Sequence, residues 1–134
     1  MSIAVLREGI AENLRRVPRL RVSASVPEQP QPPMAVVVPQ RIEFDTAMRR
    51  GADTFTFQVL VIASRASERS AQATLDALCA STGSMSVKTA IESDKTLGGE
   101  SFDLRVTEMG DYGPLQIGDI TYLAATFTVT VLAN

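Results

Sequence analysis

Histidine and tryptophan are absent from this chain, and cysteine occurs once, at Cys79. Without histidine the usual general base at neutral pH is missing, and neither a Ser–His–Asp nor a Cys–His site can be assembled within one chain. A single thiol closes no intrachain disulfide and gives no sign of an oxidising compartment. It also falls short of a structural zinc site, which takes several Cys or His ligands. No apolar run approaches the roughly 20 residues of a bilayer span. At the N-terminus Arg7, Glu8, Glu12, Arg15 and Arg16 interrupt any apolar core of a signal peptide. These absences point away from an enzyme, a cofactor, a metal centre and a membrane protein.

What is present is 134 residues of ordinary apolar content, the length of one domain, 1–134. A domain of this size buries roughly two-thirds of the surface its unfolded chain exposes. The net charge of −2 is unevenly spread. Residues 1–69 hold ten Arg against seven Asp and Glu, a balance of +3; residues 70–134 hold three basic groups against eight acidic ones, a balance of −5. A subunit that docks its basic side on a neighbour's acidic side would use such a split, because complementary fields steer association.

Ile3, Leu6, Ile10, Leu14 and Val17 form one helical stripe, with Ser2 as a candidate N-cap and Pro18 as the stop. Leu20 to Val26 alternates as a half-buried strand. Four prolines between Pro27 and Pro33 predict a stiff polyproline II linker to a short strand, Ala35–Val38, closed by Pro39. Residues 40–53 read as an irregular, charged loop. Thr54 to Ala63 is the next strand; Leu60 and Ile62 make its far end apolar on both faces, which predicts a central position. A second helix carries Ala71, Leu75 and Leu78, capped by Ser67 beside Glu68 and stopped by Gly83. Ser86–Glu92 reads as a short third helix, and the loop 94–101 turns at Gly98-Gly99. Phe102 to Thr107 alternates, a turn is expected at Gly110–Pro114, and Leu123 to Val131 is the cleanest strand. Its second face, Thr126, Thr128 and Thr130, is expected to be exposed or to meet a neighbour. There is no internal repeat. The order predicts an α+β fold, a mostly antiparallel β-sheet with helices packed on one face.

No chemical constellation stands out. Ser64, Ser67 and Ser70 lack the G-x-S-x-G setting of a nucleophile elbow and are accounted for by capping. Ser86 and Lys88, two apart on a helix, face different ways. Gly98-Gly99 lacks the Lys and Ser or Thr that complete a phosphate loop. Glu92, Asp94, Glu100 and Asp103 lack calcium-loop spacing and read as a solvated acidic edge. The P-x-x-P spacing around Pro30 is better explained as a linker than as a peptide ligand. Arg15, Arg16, Arg19 and Arg21 form one basic cluster, read first as a solvated helix end and second as a weak, nonspecific contact with passing DNA.

A collinear series runs through most of the chain: Leu6-Arg7-Glu8-Gly9-Ile10, Pro39, Arg50-Gly51, Phe57 to Ile62, Ala71-Gln72, Leu75-Asp76, Ile91-Glu92, Gly98-Gly99, Leu104-Arg105-Val106 and Phe127-Thr128-Val129. Together these segments resemble the tail terminator, or tail-completion, proteins of long-tailed actinobacteriophages. None of them is a specific motif by itself. The resemblance implies a structural virion protein that forms a homo-oligomeric ring, expected as a hexamer, on the head-proximal end of the tail. The ring would be assembled in the host cytoplasm. It would stop polymerisation of the tail tube protein, join the head connector and let genomic DNA pass through its lumen. A cyclic ring uses head-to-tail contacts that close on themselves. From their charge and irregularity, loops 40–53 and 94–101 are the expected contacts with neighbouring subunits or the tube, through Arg41, Asp45, Arg49, Arg50, Asp94, Lys95 and Glu100. The alternatives are a head-completion or neck adaptor ring and, less favoured, a small non-catalytic binding module or an enzyme with a polar pocket.

Overall fold

The computed structural model describes residues 3–23, 29–44 and 52–133 of the chain. The N-terminal stripe folds into helix α1 (Ile3–Leu14), which buries Leu6, Ile10 and Leu14. The proposed Ser2 cap lies outside the described residues. Arg19, just past Pro18, takes a left-handed backbone (φ 65°) as the chain enters strand β1 (Arg21–Ser23).

Strand β2 spans Met34–Glu43, longer than predicted. Pro39 does not close it: the chain bulges between Pro39 and Arg41 and pairing with strand β3 (Asp53–Arg65) resumes through Glu43. Beyond Val36 no described strand flanks β2 on its β1 side, and proline is tolerated at such an edge and at a bulge. Residues 40–43 are therefore strand, not loop. The connection from β1 includes a cis Pro32–Pro33 peptide, and β2 pairs parallel to β1.

Helix α2 (Ala71–Leu78) buries Ala71, Leu75 and Leu78, but Ser67 does not cap it. Ser67 lies in a turn; Ser70 holds the N-cap position without a side-chain bond, and Cys79, not glycine, ends the helix. Helix α3 (Val87–Ile91) is shorter than the expected Ser86–Glu92, and Ser86 is its N-cap: Ser86 Oγ accepts from Thr89 N–H at 3.1 Å and donates to Ala80 O at 2.6 Å.

The largest departure is strand β4, which runs from Asp103 to Ile117 straight through the predicted turn at Gly110–Pro114. Two irregularities, between Val106 and Glu108 and between Gly110 and Gly113, absorb the awkward residues, and Asp111 takes φ 53°. Pro114 is tolerated because β4 is an outer strand. The reversal falls instead at Gly118-Asp119, with Gly118 at φ 63°, and leads into strand β5 (Ile120–Ala133). A glycine with positive φ at the first of two turn residues suits the twist of a hairpin.

The five strands form one mixed sheet in the order β1-β2-β3-β5-β4, parallel between β1 and β2 and antiparallel elsewhere. β3 is central, as its two apolar faces predict. One face carries Phe55, Phe57, Val59 and Val61 with Phe127, Val129 and Val131, and packs with residues of α1, α2 and α3 into the main core. Full burial of each such side chain stabilises by about 1.5–3 kcal/mol. On the other face Thr126, Thr128 and Thr130 are half-buried, and Met34, Val36, Ile62, Tyr122 and Ala124 form a second apolar cluster. No described helix is long and apolar enough to cross a membrane.

Candidate functional site

The sheet order leaves two unlike edges open among the described residues: β2 beyond Val36 on one side, β4 on the other. Large apolar side chains are exposed along both. Val38 (42% exposed) and Phe44 (71%) lie on the β2 side; Phe102 (58%), Met109 and Tyr112 lie on the β4 side. Backbone register joins the two edges. Glu43 pairs with Thr54, Thr54 with Leu132, and Leu132 with Asp103, one row across the sheet. Phe44 and Phe102 therefore flank the same end of the sheet, one at each edge.

Beside Phe44 lies a cleft of about 320 Å³, walled by Ile3, Pro39, Ile42, Phe55 and Phe57. Its depth comes from the sheet face that α1 covers, since Ile3, Ile42, Phe55 and Phe57 belong to the helix-side core or pack against it. Arg41 stands on its rim and pairs with Glu43 of its own strand at 3.1 Å. A second cavity, of about 500 Å³, lies where Gln29–Gln31 meet the β4–β5 turn; Arg65, Asp119 and Tyr122 give it polar lining.

The β4 edge is partly closed by its own chain. Glu92 Oε2 accepts from Val106 N–H at 3.0 Å, and its other carboxylate oxygen accepts from Lys88 Nζ. Burial by itself would raise the Glu92 carboxyl, but the bonds from Lys88 and Val106 outweigh it and hold the group below the usual carboxylate range. Tyr112 donates to Asp76 Oδ1 at 2.6 Å, which ties the β4 irregularity to α2 and raises the phenol. Proline, bulges and charged side chains on both edges resist indiscriminate strand pairing.

The site residues expected from sequence divide into three groups. Asp45, Arg49 and Arg50 lie outside the described residues. Arg41 sits on the β2 edge, as above. Asp94, Lys95 and Glu100 share the 94–101 loop, but much of that loop is internally tied. Asp94 Oδ1 accepts from Thr96 Oγ1 (2.6 Å) and Thr96 N–H (3.1 Å), and its Oδ2 accepts from Gly98 N–H (3.0 Å). These bonds, led by the Thr96 hydroxyl, lower the Asp94 carboxyl, with a small addition from Arg16. Ser101 Oγ donates to Lys95 O at 2.6 Å, so Lys95 is held by its backbone while its side chain stays exposed. Glu100 is exposed.

The basic cluster is less free than its sequence suggests. Arg15 donates to Glu12 at 2.6 Å and lies 3.4 Å from Glu8, so two carboxylates offset its charge. Arg21 Nη1 donates to Gln31 O at 3.2 Å and tethers the linker. Arg16 and Arg19 are exposed. Glu92, read from sequence as part of a solvated edge, is only 17% exposed and works as an edge cap.

Sequence reasoning missed Asn13, which is buried and donates through Nδ2 to Ile91 O and Asp94 O, both at 3.0 Å. A polar residue inside an apolar helical stripe was the available signal. It also missed Phe44 and Phe102, whose exposure depends on where the sheet ends. Burial, helped by Asp76, pushes the Cys79 thiol up to about 11, which disfavours its thiolate. Among the described residues no group of three or more His, Cys, Asp or Glu is placed to hold a metal ion. No family model matches this chain, and no curated protein matches it.

Proposed function

We propose that this chain is a ring-forming structural protein of a phage virion. The ring caps the head-proximal end of the tail tube, stops tube polymerisation and joins the tail to the head connector. The single observation that carries the reading is that, among the described residues, the sheet has two unlike edges, β2 beyond Val36 on one side and β4 on the other. A ring needs two different surfaces on each subunit, because each copy presents one to the copy before it and the other to the copy after it. The collinear resemblance set out above supplies the biological setting. The charge split supports the same arrangement. β4 contributes Asp103, Glu108 and Asp111 against Arg105, whereas most of the arginines lie in the first half of the chain. In this proposal the DNA passes through the lumen without specific contacts, since Arg15 and Arg21 are already engaged within the chain.

The test is the solution mass over a concentration series, alone and then with tail tube protein. A mass near a hexamer, or a monomer that closes into a ring and halts tube growth when tube ends are added, is the expected result. A monomer that ignores tube ends would overturn the reading. A ring that binds portal but not tube ends would move the protein to the neck adaptor class.

A further inference from the structure

We infer that the outer edge of β4 is a self-complementary surface for a second copy of this chain, and that the Glu92 side chain holds it shut. With Glu92 in place, two copies do not join through β4; without it, residues 103–106 pair antiparallel with the same residues of a second copy across a two-fold axis. The guard serves whether or not copies close into a ring, because a two-fold β4 contact competes with any other use of that edge.

Most of β4 is unsuited to a further strand. Irregularities fall between Val106 and Glu108 and between Gly110 and Gly113, Tyr112 is tied to Asp76, and Pro114 has no N–H to offer. Residues 103–106 keep a regular register with β5. Val106 N–H points away from β5, since it donates to Glu92 Oε2 at 3.0 Å. Backbone groups alternate in direction along an antiparallel strand, so Leu104 N–H points outward as well. One of these two outward donors is therefore taken by Glu92. The guard is itself held, because the Glu92 side chain is only 17% exposed and its other oxygen accepts from Lys88 Nζ.

Charge names the occupant and its register. Asp103 and Arg105 are exposed, share the face opposite the core residues Leu104 and Val106, and join no ion pair among the described residues. A two-fold axis at Leu104 sets Asp103 of each copy against Arg105 of the other, two opposite-charge pairs directly across strands. An axis at Arg105 sets the two arginines together, and one at Val106 runs the pairing into the irregularity before Glu108. With the axis at Leu104, Val106 N–H faces the second strand, and that is the donor Glu92 occupies.

The experiment uses the full chain with Cys79→Ser, so that only introduced thiols react. One copy carries Asp103→Cys and the other Arg105→Cys, both at exposed positions. In the inferred register these residues form a non-hydrogen-bonded pair with Cα atoms about 4.5 Å apart, within disulfide reach, and the second Asp103–Arg105 pair is kept. Under mild oxidation, mixed disulfide is expected when both copies carry Glu92→Ala. It is not expected when they keep Glu92, when they carry Glu92→Gln, whose amide oxygen still accepts, or from either copy alone. Lys88→Ala, at a partly exposed side chain, frees Glu92 without touching it and should give the same disulfide in lower yield, so the test survives if Glu92→Ala fails to fold. At high dilution Val106 N–H should exchange with deuterium at least roughly ten-fold faster in Glu92→Ala than in the parent, the factor expected for loss of a hydrogen bond to a charged group. Absence of mixed disulfide in both the Glu92→Ala and Lys88→Ala pairs, equal disulfide with Glu92 retained, or unchanged exchange at Val106 would overturn the guard. None of these results bears on whether the protein forms a ring at tube ends.

Discussion

At the scale of single residues, Gly9 shows how packing overrides propensity. A β-carbon at Gly9 would stand 2.9 Å from Leu97 Cβ, the root of a buried side chain and not a flexible tip. Alanine in a helix interior is favoured over glycine by about 1 kcal/mol, but overpacking costs about 1–3 kcal/mol. Gly9→Ala should therefore lower the melting temperature by several degrees; a rise would mean that the 94–101 loop yields freely. Glu92 makes a pH-dependent contribution. Its folded carboxyl lies below the usual value of about 4.3, so its stabilisation is present above that value and is lost as pH falls through the folded one. Asp94 acts with the same sign through its Thr96 and Gly98 bonds. Melting curves between pH 6 and pH 3 should fall less steeply for Glu92→Gln than for the parent protein, and parallel curves would exclude the effect. Neither contact is visible in sequence: Gly9 and Leu97 meet only after folding, and so do Glu92 and Val106.

At the scale of elements, periodicity was a good guide where one face is buried and a poor one at strand ends. The stripe of α1, the central position of β3 and the existence of the short helix α3 all follow from residue pattern. The β4–β5 hairpin did not. Gly110, Gly113 and Pro114 are turn formers, yet β4 absorbs them in irregularities because an outer strand tolerates lost ladder bonds. The weaker-looking Gly118-Asp119 pair makes the reversal. Gly118 sits at φ 63°, a region costly for β-branched residues. Gly118→Val should destabilise by about 1–3 kcal/mol, and Gly118→Asn by less, because asparagine visits this region more readily. Equal effects in chemical denaturation would show that the turn is not the constraint. The α2 cap failed for a related reason: Ser67, Glu68 and Ser70 all suit a helix start, and the turn after β3 decides that the helix begins at Ala71.

At the scale of the whole molecule, the basic and acidic halves of the chain become different parts of one sheet and its helices. If complementary charge steers assembly, the mass measured over the same concentration series should fall as salt is raised, because exposed charges more than about 10 Å apart are largely screened at 0.1 M. The candidate site was only partly legible. Its ingredients, Arg41, Phe44, Phe102 and Asp103, are plain in the sequence, but which strands are outermost depends on a strand order that runs β5 before β4. Residue pattern alone carries the α+β class, the helical stripes, the central apolar strand and the absence of histidine. These are consequences of local period and composition, which each segment carries alone. Folding adds the strand ends, the parallel β1–β2 pair, the edge cap at Glu92 and the placing of Phe44 and Phe102 at one end of the sheet. Each of these depends on contacts between residues distant in the chain, whose geometry is set by pairing register and by packing across the sheet.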